Sequence, residues 1–168
     1  MEVVAGPAEG AIPIAHFVAF HLSQIETRDI VAVYLEPTDP ANKALPFYLG
    51  RGFDQDVLGK KVLVTEDIFT SGGSAQRSVE AVRRAGGDVI GVAGIANRGR
   101  VTPEQVGQAP RLTALTDMAG IAMIAWRDLT CPLCDKLEPL RTDIGKGKSW
   151  LETPLGKAWL LKGGTTLG

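Results

Sequence analysis

The sequence predicts an α/β fold, a parallel, doubly wound sheet with flanking helices. Three observations predict it. Short apolar, β-branched runs alternate with stretches that read as helices, the order that builds parallel sheets through crossover connections. The clearest run, Val62 to Thr65, passes through a Gly/Ser/Thr turn into a helix. The 168 residues, 45% of them hydrophobic, suffice for one full domain with a sizeable core and are too few for two ordinary ones.

Taken in order, Val3 to Ala5 reads as a strand ended by Gly6-Pro7. Ile12 to Leu22 follows as a nearly all-apolar helix with Pro13 at its start. Ile30 to Leu35 has the β-branched and aromatic content of a strand buried on both faces. From Glu36 to Gly59, Pro37, Pro40, Pro46, Gly50 and Gly52 break any period, so a long loop of functional kind is expected. The strand at Val62 leads through Thr70-Ser71-Gly72-Gly73-Ser74 to a helix ending near Ala85, with Ala75, Val79 and Val82 on its buried side. Gly86 and Gly87 suit the C-cap, and Val89 to Ala96 is the next strand. Leu112 to Leu115 reads as an edge strand, Ile121 to Trp126 as a further apolar segment, and Gly163 to Gly168 as a frayed tail.

Composition narrows the function. Eighteen Lys+Arg against 19 Asp+Glu give a net charge of -1, which argues against broad electrostatic binding to nucleic acid or anionic membranes. No apolar run approaches the ~20 residues of a membrane span, and no charged-then-apolar leader opens the chain, so a cytoplasmic protein is expected. The two cysteines, Cys131 and Cys134, form one C-x-x-C and fit a reducing compartment. Glycine is in excess, at 20 residues against an average share of roughly 7%, and the reading is backbone turns at a site.

The chemistry concentrates at Glu66-Asp67-Ile68-Phe69-Thr70-Ser71-Gly72-Gly73-Ser74. A Gly/Ser/Thr turn opening a helix offers outward N–H groups, hydroxyl donors and positive helix-end potential, which suit a phosphate. The adjacent carboxylates repel phosphate, but they can accept hydrogen bonds from sugar hydroxyls or hold a divalent cation through water. Together the pieces describe a ribose 5-phosphate site. The plainer alternative is a solvated turn with a helix cap, and a Walker A loop is a poor match because no Lys follows the glycine pair. His16 and His21, five apart, do not share a helical face as metal ligands would.

This run resembles the phosphoribosyl pyrophosphate motif of the type I phosphoribosyltransferases. Within that family the chain from Val3 to Cys134 is most similar to the orotate phosphoribosyltransferase branch, in its shorter-loop bacterial and archaeal group. Gly6-Pro7-Ala8-Glu9-Gly10-Ala11-Ile12-Pro13 is similar to the family's first loop, which implies that Ala8, Glu9 and Gly10 contact pyrophosphate; read alone it is an ordinary turn. The resemblance implies that Glu66 and Asp67 are the catalytic pair and that Thr70 and Arg98 contact orotate, a guanidinium fork suiting a planar carboxylate. Read alone, one loop Arg such as Arg98 is a solvated residue. Arg51-Gly52-Phe53 and Gly59-Lys60-Lys61 also match that group, and alone they would form a surface hairpin. The implied reaction is Mg²⁺-dependent transfer of 5-phosphoribosyl from phosphoribosyl pyrophosphate to orotate, giving orotidine 5′-phosphate and pyrophosphate in pyrimidine biosynthesis, in a homodimer. Two alternatives stay open: transfer to another base such as a purine, and a non-catalytic phosphoribosyl pyrophosphate-binding regulator.

The expected organisation is a transferase core over residues 1–130 and a C-terminal extension over 131–168. The pattern departs from the family in three places. Pro37 follows Glu36 where the shorter-loop group has a basic residue, which leaves Lys43 and Arg51 as flexible-loop candidates. The first strand is expected almost at Met1, where the family has a segment that hoods the base, so Met1 is read as marking a truncated product, a fragment or an alternative start. The tail after Cys134 is longer and holds Trp150 and Trp159. Cys131-Pro132-Leu133-Cys134 resembles a C-terminal C-P-L-C of these relatives and is read as two free thiols; the alternative is half of a four-cysteine zinc site that a second chain would have to complete.

Overall fold

The apolar runs of the first 117 residues become the strands of one sheet. The computed structural model describes residues 1–39, 45–118, 120, 131–145 and 147–167, in two units, Met1–Ile121 and Ala122–Gly168. In the first unit, β1 (Val3–Pro7), β2 (Val31–Pro37), β3 (Phe47–Tyr48), β4 (Lys61–Phe69), β5 (Asp88–Asn97) and β6 (Leu112–Asp117) are ordered β3-β2-β1-β4-β5-β6. All pairs are parallel except β2 with β3. The predicted doubly wound α/β class is therefore the observed one, with Leu112 to Asp117 at the sheet edge.

Alternation along β1 assigns the two faces of the sheet. Val4 packs with Ala15 and Ala19 of α1 (Ala11–Glu26). Val3 and Ala5 join Val62, Val64, Val92 and the α3 (Gly73–Arg84) residues Ala75, Val79 and Val82 in the main core. Only alanines of α1 are fully buried, while Phe17 and Phe20 stand 66% and 59% exposed, so its nearly all-apolar sequence overstates its burial.

Three expectations are corrected here. In β2 only Val33 and Leu35 are fully buried and Val31 is exposed, because this strand has only the two-residue β3 on its outer side. The stretch after Glu36 is not one long loop: Phe47 and Tyr48 pair antiparallel with Pro37 and Glu36, and α2 (Phe53–Val57) follows. Elements of two and five residues span too little of a period to be read in sequence. The tail is not frayed either, since β8 (Thr166–Leu167) pairs in parallel with β7 (Leu140–Arg141). Ile121 to Trp126 lies outside the described residues.

The second unit also holds α4 (Pro132–Asp135), α5 (Gly147–Leu151) and α6 (Pro154–Leu161). Its buried centre is Trp150 against Trp159, edge to face at 5.5 Å between ring centroids, a favoured aromatic geometry. Thr153 caps α6 by accepting from Gly156 N–H at 3.1 Å.

Candidate active site

β1 and β4 are neighbours, yet the chain leaves them toward opposite faces, into α1 on one side and α3 on the other. Such a reversal opens a crevice at the carboxyl ends of the strands, where open α/β sheets bind ligands. Both segments singled out in the sequence end in that crevice.

The first loop is tied to β2, with Ala8 N–H donating to Leu35 C=O at 2.8 Å. Glu9 and Gly10 are exposed, and the Ala8–Glu9 peptide bond is cis. No sequence signal marks that bond, since cis bonds are otherwise a proline feature. Gly10 lies against Asp67: a Cβ on it would stand 2.5 Å from Asp67 Oδ2. The proposed pyrophosphate loop and the proposed sugar carboxylate therefore meet.

The two carboxyls differ in environment. Asp67 is half-buried and its Oδ1 accepts from Ile68 N–H at 2.6 Å. Glu66 is only 6% exposed; its Oε1 accepts from Asp67 N–H at 3.1 Å, and its Oε2 has no partner within the described residues. Burial above all, then the hydrogen bond and charge of the neighbouring Asp67 carboxylate, push Glu66 up to about 8, against the opposing pull of Asp67 N–H and of Arg77. Burial thus favours the neutral form of Glu66, one of whose buried oxygens has no partner among the described residues.

Beyond the pair, Ile68, Thr70 and Ser71 are exposed and Gly73 and Ser74 half-buried. Gly72 starts α3 from φ +77°, with no side chain capping the helix, so the N–H groups of the first turn face outward without a helical partner. Phe69 differs from its neighbours. It is 1% exposed and its ring lies over Gly94, so at this position only the backbone could meet a ligand.

The loop after β5 folds back onto this turn. Arg98 and Gly99 N–H both donate to Phe69 C=O, at 3.0 and 2.9 Å, and Arg98 Nη2 donates to Thr70 Oγ1 at 3.0 Å. The Asn97 side chain clamps the loop, exchanging hydrogen bonds with Val101 N–H and C=O. Gly99 passes so close that a Cβ would stand 1.6 Å from Thr70 C=O oxygen. Thr70 and Arg98, the two residues expected on the base side, are thereby joined.

Arg77 was not among the residues read from the sequence. It lies one helical turn beyond Ser74, with Nη2 3.5 Å from Ser74 Oγ and its guanidinium 5.2 Å from the Phe47 ring centroid. Its i, i+3 spacing from Ser74 was the available signal. Arg51 is exposed and ion-paired to Glu36 Oε1 at 3.2 Å, while Tyr48 Oη donates to Glu36 Oε2 at 3.3 Å. Lys43 lies outside the described residues. His16 and His21 are exposed on α1, His16 Nδ1 lying 2.9 Å from Ile12 C=O. Among the described residues no three His, Cys, Asp or Glu side chains cluster as a metal cage.

A carboxylate pair, a glycine turn at a helix start and a second glycine loop thus meet at one switch point of an α/β sheet. Residues 2–134 match the phosphoribosyl transferase domain family, and the chain belongs to that family. It is 35% identical over 140 residues to the orotate phosphoribosyltransferase of Caldanaerobacter subterraneus subsp. tengcongensis, covering 83% of this chain and 64% of the relative. The enzyme of the same name from Caldicellulosiruptor bescii is 36% identical over 142 residues, with the same coverages. The chain thus spans about 64% of the length of these curated relatives. Among solved structures it is similar to Mycobacterium tuberculosis orotate phosphoribosyltransferase in complex with 5-phospho-alpha-D-ribosyl 1-diphosphate, at 28% identity and a TM-score of 0.53, covering 72% of this chain and 65% of that one. An adenine phosphoribosyltransferase from Saccharomyces cerevisiae shares the fold at 15% identity and a TM-score of 0.50, over 67% of this chain and 65% of that one.

Proposed function

We propose that the chain transfers 5-phosphoribosyl from phosphoribosyl pyrophosphate to orotate, giving orotidine 5′-phosphate and pyrophosphate. The observation that carries this reading is the contact of Gly10 with Asp67, which sets an open backbone loop beside the acidic pair. The open N–H groups of α3, with Ser71 and Ser74, take the 5-phosphate. Asp67 and Glu66 accept from the ribose hydroxyls, and the loop Ala8-Glu9-Gly10 offers backbone N–H groups to the pyrophosphate. Arg98, held by Thr70, faces the orotate carboxylate with its remaining guanidinium donors. Orotate, its ring nitrogen having lost a proton to solvent, attacks the anomeric carbon as the C–O bond breaks and pyrophosphate leaves with the bonding electrons, so the protein's part is positioning and electrostatic stabilisation.

The donor set fits Mg²⁺ held mostly by ligand oxygens and water, since the described residues supply only the adjacent carboxyl groups of Asp67 and Glu66 here and no closed cage. When bound, the ion would neutralise the leaving pyrophosphate, and Asp67 and Glu66 are the residues that would hold it through water. The proposed assembly is a homodimer and the proposed compartment the cytoplasm. No helix among the described residues is long and apolar enough to cross a membrane.

With Mg²⁺ and phosphoribosyl pyrophosphate present, orotate absorbance should fall. Asp67→Asn should cut kcat/KM at least ~100-fold, as expected where a positioning contact to the reacting sugar is removed. Arg98→Ala should raise the orotate KM while phosphoribosyl pyrophosphate binding stays nearly intact. Equal loss of both would contradict the role given to Arg98. The Glu36 ion pair that occupies Arg51 favours a second reading, a binder of phosphoribosyl pyrophosphate that does not turn over. Tight binding without turnover of orotate or any purine would decide for it.

A further inference from the structure

The second unit contains a pair of thiols that the transferase reading does not use. Cys131 and Cys134 are the only two cysteines of the chain, both free and both half-buried. They flank the first turn of α4, which is pinned by Asp135 N–H to Cys131 C=O at 3.0 Å and Leu137 N–H to Cys134 C=O at 3.2 Å. Both line one cavity of about 380 Å³, walled by Leu133, Ile144, Trp150 and Trp159. The turn of α4 sets the two side chains three positions apart, both at this cavity.

We propose that Cys131 and Cys134 form a dithiol redox site whose substrates are low-molecular-weight disulfides, closing to an intramolecular disulfide at the mouth of this cavity. Three points of chemistry support it. Cysteines at C-x-x-C spacing are the pairing used for exchange within one turn. The two thiols are unequal: burial raises Cys131, but hydrogen bonds from the Cys134 thiol and from the N–H groups of Cys134 and Leu133 outweigh it and the net direction is down. Burial and donation to Cys131 push Cys134 up to about 11, which divides the pair into an attacking and a resolving thiol. Metal capture is the competing use, and no third His, Cys, Asp or Glu joins the pair among the described residues.

The step balances as follows. The Cys131 thiolate attacks one sulfur of the external disulfide, whose S–S bond breaks, and one thiolate leaves. Cys134 gives its proton to solvent and attacks Cys131 Sγ, expelling the second thiolate. Two electrons pass from the cysteine pair to the external disulfide, which becomes two thiols, and a dithiol reductant reverses the exchange. The site is independent of the transferase reading.

The full-length, fully reduced chain is incubated with oxidised glutathione, and intact mass, free thiols and tryptophan fluorescence are followed. Both thiols should disappear together, with a mass lower by two hydrogens and no cross-linked chains, and a reductant should restore them. The fluorescence should change with the same time course, since Trp150 and Trp159 wall the cavity. Cys134→Ser should stop at one glutathionyl group on Cys131, and Cys131→Ser should react roughly tenfold more slowly or worse. Two glutathionyl groups per chain, cross-linked chains, or reduced protein that carries one zinc per two chains and resists oxidation would overturn the proposal. The wild-type measurements decide it even where a serine variant fails to fold.

Discussion

At the residue scale, Glu66 sets a pH dependence. Its carboxyl is pushed up to about 8, chiefly by burial, whereas an unfolded chain ionises it near the ordinary value of 4.5. Between those values the folded protein keeps a proton that the unfolded chain has lost. Stability therefore falls as pH rises through this window and is unaffected by Glu66 below it. Glu66→Gln removes the titration. In the ligand-free protein the variant should match wild type near pH 4 and exceed it by a few kcal/mol near pH 8, read from urea midpoints. An unchanged pH slope in the variant would show that Glu66 is ionised in the folded chain. The acidic pair itself was visible in the sequence. Its asymmetry was not, because two adjacent carboxylates read alike in sequence and only the folded chain leaves Glu66 6% exposed while Asp67 stays half-buried.

At the element scale, the site depends on how closely the loop after β1 approaches the end of β4. Gly10 has an ordinary helical φ of -62°, so its backbone accepts a side chain. Space is the constraint, since an added Cβ meets the Asp67 carboxylate at 2.5 Å. That carboxylate can swing away at little cost to the fold. Gly10→Ala should leave thermal stability within about 1 kcal/mol of wild type. Phosphoribosyl pyrophosphate binding, measured by calorimetry, should weaken at least ~10-fold because Asp67 is displaced. Retained affinity would mean that Asp67 does not hold the sugar. The β4 and α3 unit was legible from Val62 to Ala85 because strand, turn and helix each extend over a full period. The β2 and β3 hairpin was not, and with it went the pairing of Arg51 with Glu36, which joins residues on either side of the segment at 40–44.

At the scale of the whole molecule, the two units should unfold as separate events. All three tryptophans, Trp126, Trp150 and Trp159, fall within Ala122–Gly168, while the six-stranded sheet and the long helices fall within Met1–Ile121. Tryptophan fluorescence therefore follows the second unit, and far-UV circular dichroism mainly the first. In a urea titration the two curves should not coincide, as two-state behaviour would require. A single shared midpoint and slope would show that the units unfold together.

Patterns written within a dozen neighbouring residues were enough to specify the sheet, the main helices, the Glu66-Asp67 motif and the glycine turn that follows it, since hydrophobic period and turn chemistry are local. Other features needed the chain to be folded. Gly10 against Asp67, Gly99 against the Thr70 carbonyl, Glu66 without a partner for one oxygen, and Thr166 beside Leu140 all join residues distant along the chain or depend on what such residues cover. Distances and burial of that kind arise from packing between elements, and no spacing along a sequence encodes them directly.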